Sequence, residues 1–191
     1  MEQKFDVKDL SVQADHVSWN GLTFGKVIFC QGFMALENAF FNWLPFTPVK
    51  GQILNIAADA SIQSHIINQG IFMLPVSDNQ LRVGATYSWD PLDWEVTEEA
   101  TAELKGKLDA LLKVPYRIVS EQAGIRPSVK DRRPLVGMHP KYGNIGIFNG
   151  LGTKGVTLAP FFANELAEYL ENGKELNPAV NIQRYFSLYF R

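Results

Sequence analysis

Gly150-Leu151-Gly152-Thr153-Lys154-Gly155 follows the apolar stretch Ile145 to Phe148 and opens a helical run in the last quarter of the chain. As a bare pattern it is G-x-G-x-x-G, whose glycines let backbone amides approach a pyrophosphate at a helix N-terminus. That job requires a second parallel strand after the helix and an acidic residue about 20 positions on. Here the acidic residues at that distance, Glu171 and Glu175, fall at the end of the same helix, and too little chain follows for a crossover and a paired strand. The loop therefore reads as a strand-to-helix turn outside a dinucleotide-binding unit.

Working outward, Val156 to Asn172 has helical periodicity and stops at Gly173, a residue suited to the left-handed position after a helix. Upstream, Thr97 is a good N-cap with Glu98 and Glu99 in the first turn, and Ala100, Leu104, Leu108, Leu111 and Leu112 form one stripe. A helix of about four turns, ending near Pro115, is expected to cover one face of a sheet. Strand-like stretches at 51–57, 63–75 and 80–87, separated by polar turns, predict an antiparallel sheet, with a further strand at 116–123. His16 to Trp19, the turn Asn20-Gly21 and a strand running on to Gly32 read as a hairpin, since Asn-Gly suits a type I′ turn. Within it Val27 to Gly32 reads as an apolar run buried on both faces. The aromatic and proline-rich stretch 33–48 marks a boundary between sub-regions. Strands and helices without regular alternation predict an α+β fold with a mixed, largely antiparallel sheet and covering helices.

Composition narrows the function classes. The 191 residues carry a net charge of -2 and are 46% hydrophobic, which suits a folded chain and argues against nucleic acid as an electrostatic partner. Lys130, Arg132 and Arg133 form a basic cluster broken by Asp131, which reads as a solvated turn. The single cysteine, Cys30, excludes an internal disulfide, and His16, His65 and His139 are scattered without metal-ligand spacing. The charged N-terminal residues resemble neither signal nor anchor, and no apolar run approaches the roughly 20 residues of a membrane span. A cytoplasmic location is the default expectation. No nucleophile-base pair or acidic pair is evident, and no catalytic acid or base is assigned.

The segments Gly124-Ile125-Arg126-Pro127, Asp131-Arg132-Arg133-Pro134-Leu135-Val136-Gly137 and Asn149 to Gly155, followed by Leu158-Ala159-Pro160, form an ordered set. Together they resemble the C-terminal half of FAD-dependent oxidoreductases of the D-amino acid oxidase and glycine oxidase family. Upstream, Val27 to Gly32 looks like the strand that re-enters the flavin domain. Pro48-Val49-Lys50-Gly51-Gln52 looks like the P-x-K/R-G-Q start of the substrate domain, and Phe72 to Pro75 with Leu81 to Thr86 looks like its hairpin. The resemblance covers roughly residues 16–172. It implies FAD as cofactor and oxidation of a C–N bond of an amino acid or secondary amine by hydride transfer to the flavin. It divides the chain into 1–47 and 124–191, belonging to the FAD-binding domain, and 48–123, the substrate domain.

The same resemblance implies that a Rossmann unit precedes these segments, so weak or absent FAD binding is expected of this chain alone. It also assigns residues. Arg126 would bind the substrate carboxylate, since a guanidinium forks onto a carboxylate and lysine cannot. Pro127 would hold Arg126 extended. Phe72 stands where glycine oxidase has a carboxylate-holding tyrosine, and it has no hydroxyl. Gly32, Gly150, Gly152, Thr153, Lys154 and Gly155 would face the flavin, with the amides of Gly152, Thr153 and Lys154 on its pyrimidine edge. His65 and Tyr87 are further pocket candidates. Two alternatives remain open. One is a catalytically silent domain that associates with a separate Rossmann half or a second copy of itself; the other is the flavin domain of a tRNA-modifying enzyme.

Overall fold

The structure is a computed structural model that describes residues 5–59 and 65–190. In chain order the strands and helices are β1 (Ser11–Val12), β2 (Val17–Trp19), β3 (Leu22–Phe24), β4 (Val27–Phe29), β5 (Val49–Ala58), β6 (Ile67–Gln69), β7 (Ile71–Ser77), β8 (Gln80–Gly84), α1 (Glu98–Leu111), β9 (Tyr116–Arg126), β10 (Leu135–Met138), β11 (Ile145–Asn149), α2 (Gly155–Asn172) and α3 (Phe186–Tyr189). They divide into two compact units, one of Met1–Thr47 with Pro127–Arg191 and one of Pro48–Arg126. The fold is α+β.

In the unit Pro48–Arg126, five strands pair antiparallel in the order β6-β7-β8-β5-β9. One face is apolar at alternate positions, Leu54 and Ile56 on β5, Ile71 and Met73 on β7, Leu81 and Val83 on β8, and α1 covers it. Leu104 and Leu108, four residues apart on one helical stripe, are fully buried there, each contributing about 2 kcal/mol of burial. Thr97 caps α1 as its sequence suggests, its hydroxyl accepting the Ala100 N–H at 3.2 Å. The expected strand 63–75 is instead a hairpin, because Gly70 takes a φ of 74° and turns β6 back onto β7; positions 63 and 64 lie outside the described residues. The strand expected to end at Ala123 continues to Arg126. Its ladder with β5 runs on through Gly124, Ile125 and Arg126, and Pro127, which has no N–H to donate, stops it.

In the other unit, β1, β2 and β3 form a small antiparallel sheet, with Asn20 and Gly21 both at positive φ in the β2–β3 turn. The single strand expected from the turn to Gly32 is broken at Gly25–Lys26. β3 stays with β2, whereas β4 crosses to another sheet and pairs parallel with β11. The expectation of full burial is also corrected: Val27 and Ile28 are half-buried, Phe29 is buried and Cys30 is exposed. β10, where the sequence reading predicts no strand, pairs antiparallel with β11, and its Leu135 and Val136 are fully buried. α2 lays Phe162 and Leu166 against Val136, Leu176 and Val180. It ends where expected, with Gly173 at φ 68° and its N–H on the Tyr169 carbonyl. The proline-rich stretch before β5 is tied to the segment after β9 by Thr47 N–H on Ser128 O and Lys130 N–H on Pro45 O.

Asp131 does more than interrupt a basic cluster. Its carboxylate accepts from Arg184 Nε at 3.0 Å, while the same guanidinium donates to the carbonyls of Val180, Asn181 and Pro134. The cluster is thus a turn to which the C-terminal segment is tied.

His139 sits in an aromatic cage of Phe40, Phe41, Trp43, Tyr142 and Tyr189 and is 4% exposed. Its Nδ1 accepts the N–H groups of Lys141 and Tyr142 at 3.1 and 3.3 Å. Burial, with Lys141 adding repulsion, pushes its pKa down from 6.5 to about 4. The unfolded chain therefore takes up a proton first as pH falls. This contribution to stability is fully present above about pH 6.5 and is lost between there and about pH 4, a change of about 2 kcal/mol allowing for partial solvent access. Urea midpoints measured across that interval should fall for the parent chain and fall less for His139→Gln.

Candidate functional site

Two clusters contain the residues singled out from sequence, one in each unit. In the unit Pro48–Arg126 the relevant surface is the sheet face opposite α1. Register places Gly51 opposite Gly124, Ile53 opposite both Gly84 and Gln122, and Phe72 opposite Gly84, so these positions share one face. Glycines on three adjacent strands leave a depression, and larger side chains lie across it. A Cβ on Gly51 would fall 2.3 Å from both Nη1 and Nη2 of Arg126, so the guanidinium lies directly against the Gly51 backbone. A Cβ on Gly84 would meet the Phe72 ring at 3.1 Å and Ile53 Cγ2 at 2.5 Å. The nearest atom to a Cβ on Gly124 would be Cζ3 of Trp94, at 4.0 Å.

Arg126 is half-buried but incompletely satisfied. Nη1 makes one long hydrogen bond, 3.4 Å, to the Thr86 carbonyl, and the Tyr87 ring lies 4.8 Å from Cζ. Among the described residues no carboxylate pairs with it, unlike Arg184 with Asp131 or Lys50 with Asp93. A guanidinium with donors left over, lying on a glycine-floored surface, has the chemistry to take a planar anion. Phe72 lies on the same face, with β8 and β5 between its strand and that of Arg126.

The residues flanking Gly51 point the other way and fix the loop that frames this face. Lys50, only 4% exposed, pairs through Nζ with Asp93, which lowers the Asp93 pKa. Gln52 accepts the Thr97 N–H at 2.8 Å and donates to Thr101 Oγ1 at 2.7 Å, and its own N–H donates to Thr86 Oγ1 at 2.9 Å. Lys50 and Ser88 also exchange backbone hydrogen bonds. The segment from Thr86 to Thr97 is thereby fastened at both ends and in the middle. Because Lys50 is enclosed and Asp93 is open to water, Asp93→Asn strands a buried charge whereas Lys50→Met does not. Asp93→Asn is therefore expected to lower the urea midpoint more than Lys50→Met, and the reverse order would contradict this reading.

In the other unit, the second cluster forms at the C-terminal ends of the parallel pair β4 and β11. Asn149, the last residue of β11, donates through Nδ2 to the Gly32 carbonyl at 2.9 Å and accepts the Gly150 N–H at 2.8 Å. One side chain thus brings Gly32 and the glycine loop together. Gly32, Gly150 and Gly152 take φ values of 56°, 70° and 53°. A Cβ on Gly32 would enter open space, whereas one on Gly150 would strike Val129 at 2.6 Å. Gly152 to Lys154 form a short turn leading into α2, with Thr153 and Lys154 exposed. The Lys154 N–H closes that turn onto the Leu151 carbonyl at 3.0 Å, so it is already spent. Gly152 and Thr153 precede the closing bond, and their N–H groups, with those opening α2, form the positive end of the helix.

His65 is exposed, and His16 is an exposed partner of Asp15. No group of three or more potential metal ligands converges among the described residues, and no helix among them is long and apolar enough to cross a membrane. Sequence reasoning did not pick out Lys50, Gly51, Thr86, Trp94 or Asn149 individually. Lys50 and Gly51 carried a signal in the Lys-Gly-Gln triplet, whose glycine and flanking polar residues face opposite sides of β5.

One unit is thus an antiparallel sheet with a covering helix, and the other is built on a parallel strand pair with a glycine turn at its C-terminal end. The solved structure of glycine oxidase from Geobacillus kaustophilus superposes with a TM-score of 0.75 at 22% identity, covering 94% of this chain and 50% of that one. The FAD dependent oxidoreductase family profile matches residues 3–169, and the chain belongs to that family. Among curated relatives, glycine oxidase of Bacillus subtilis (strain 168) is 29% identical over 178 residues, which is 87% of this chain and 43% of the relative. The tRNA 5-methylaminomethyl-2-thiouridine biosynthesis bifunctional protein of Hahella chejuensis is 27% identical over 154 residues, 72% of this chain and 24% of that protein. The chain spans less than half the length of these curated relatives.

Proposed function

We propose that this chain carries the substrate-binding sheet and the flavin-ring loop of an FAD-dependent enzyme that oxidises a C–N bond in an amino acid or secondary amine. The observation that carries the reading is Arg126, a half-buried guanidinium without an acidic partner among the described residues, laid against Gly51 on a glycine-floored face beside Ile53 and Phe72. In this reading residues 48–123 form the substrate domain, while 1–47 and 124–191 belong to the FAD-binding domain.

The residues present fit a flavin ring. Gly32 and the 150–155 loop are joined through Asn149 at the carboxyl ends of parallel strands, where ligands bind in open α/β sheets, and the space above Gly32 is clear. Bound flavin supplies the two-electron acceptor for hydride from the carbon beside nitrogen. The N–H groups of Gly152 and Thr153 and the positive end of α2 stabilise negative charge at the ring edge, and the exposed Lys154 ammonium adds to it. Arg126 binds and orients the substrate carboxylate, and the Tyr87 ring holds the guanidinium plane. The Phe72 ring, lacking a hydroxyl, excludes water beside the carboxylate. No side chain is assigned a proton-transfer role.

The test is a titration of the chain with N-methylglycine and with dimethylamine, read by 15N chemical shifts. Arg126→Lys is expected to raise Kd for N-methylglycine about 10²-fold, the loss of one charge-assisted bidentate contact, with little change for dimethylamine. An equal effect on both amines would remove Arg126 from carboxylate binding.

A further inference from the structure

The face around Arg126 is more aromatic than a carboxylate site requires. Trp94 reaches it at Gly124 and is 60% exposed, Tyr87 is 58% exposed, and Phe72 lies over Gly84. Large exposed aromatic rings are unfavourable in water, and a mobile loop would fold them away. This segment is not free to do so. Asp93, directly before Trp94, is held by the buried Lys50 and by the Glu95 N–H at 3.0 Å, and Thr97 is held by Gln52. The chain has placed an ion pair anchored by the buried Lys50 on the helix-bearing face and, one residue along, an indole on the open face. Around Arg126 this surface presents glycines, Ile53 and aromatic residues, with Gln122 opposite Ile53, and its polar positions Asn55, Arg82 and Ser120 lie farther along the strands.

We propose that Trp94, with Phe72, sets substrate specificity at this site for amino acids that carry a large apolar or aromatic group in addition to the carboxylate. The proposal rests on Arg126 as the carboxylate partner and names what lies beside it. The guanidinium fixes one end of the molecule. The rings of Trp94 and Phe72, on either side of Arg126 along the strand order, offer apolar surface for the rest. Glycine itself would satisfy Arg126 and leave these rings wet. Phe72, without a hydroxyl, spends its surface on apolar contact rather than on a second hydrogen bond to the carboxylate.

The experiment is a titration of the full chain with glycine, N-benzylglycine, DL-phenylalanine and benzylamine, followed by indole fluorescence and by 15N chemical shifts. At least one of N-benzylglycine and DL-phenylalanine is expected to bind about tenfold or more tightly than glycine. Trp94→Ala should remove most of that advantage, and Trp94→Phe should retain much of it. Equal binding of glycine and both aromatic amino acids, or an advantage untouched by Trp94→Ala, would overturn the specificity proposal while leaving the Arg126 reading intact. Benzylamine binding as tightly as N-benzylglycine would instead overturn the carboxylate reading, and the specificity proposal with it. Unchanged far-ultraviolet circular dichroism of the variants checks that the exposed indole is not needed for folding.

Discussion

Gly51→Ala is expected to leave the protein about as stable as the parent and to weaken binding of N-methylglycine 10- to 100-fold, roughly the worth of one charged hydrogen-bonded contact. The added methyl would lie 2.3 Å from both terminal nitrogens of Arg126 and 2.6 Å from Cζ, and these side-chain atoms are its three nearest neighbours. The far end of a flexible side chain can move aside, so the clash is relieved by swinging the guanidinium off the sheet. In a strand interior alanine also costs less conformational entropy than glycine, by about 0.5–1 kcal/mol, which offsets the disturbance. Stability and binding should therefore separate: a near-parental urea midpoint with a large rise in Kd. A variant that binds N-methylglycine as the parent does would show that the observed position of Arg126 is not the functional one.

Gly150→Ala is expected to destabilise the protein by about 3 kcal/mol, because two costs fall on one methyl group. The left-handed backbone, φ 70°, is strained for an L-residue by about 1 kcal/mol, and the new atom would sit 2.6 Å from Val129 Cγ2, 3.0 Å from Leu135 Cγ and 3.1 Å from the Leu135 backbone nitrogen. Val129 and Leu135 belong to a packed core with Phe29, Ile145 and Ile147, so neither can give way cheaply. Gly152 provides the control. Its φ of 53° carries the same strain, but its nearest neighbour would be Ser128 Oγ at 3.4 Å, so Gly152→Ala should cost about 1 kcal/mol. Chemical denaturation of the two variants should resolve the difference, and equal losses would mean that Gly150 answers to the backbone alone and not to the core behind it.

Local signals were legible where short-range chemistry decides the structure. The Thr97 cap, the Asn20-Gly21 turn, the α1 stripe and the Gly173 stop each depend on residues within a few positions, and each stands where the sequence reading placed it. The failures share a different cause. Val27–Phe29 leaves the hairpin because its partner is Ile145–Ile147, far along the chain, and the apolar run itself is the same in either sheet. Leu135–Met138 follows a proline and contains a glycine, so no local pattern marks it as a strand, yet pairing with β11 makes it one. The Lys-Gly-Gln triplet and the Gly-Ile-Arg-Pro segment were read as separate signals. The ladder between β5 and β9 joins them, since Gly51 is vacant of side chain where the Arg126 guanidinium lies. Asn149 is similar: its link to Gly32 spans most of the chain and leaves no local pattern.

The glycine loop 150–155 opens α2, and its proposed ligand is a flavin ring. The most direct measurement is an amide-resolved titration of the chain with two small probes, lumiflavin for the ring and N-methylglycine for the substrate. Lumiflavin is expected to shift the amides of Gly32 and of residues 150–155 and to leave Arg126 Nε unmoved, while N-methylglycine shifts Arg126 Nε. Lumiflavin shifts that avoid Gly32 and the loop, or N-methylglycine shifts that avoid Arg126, would contradict the account.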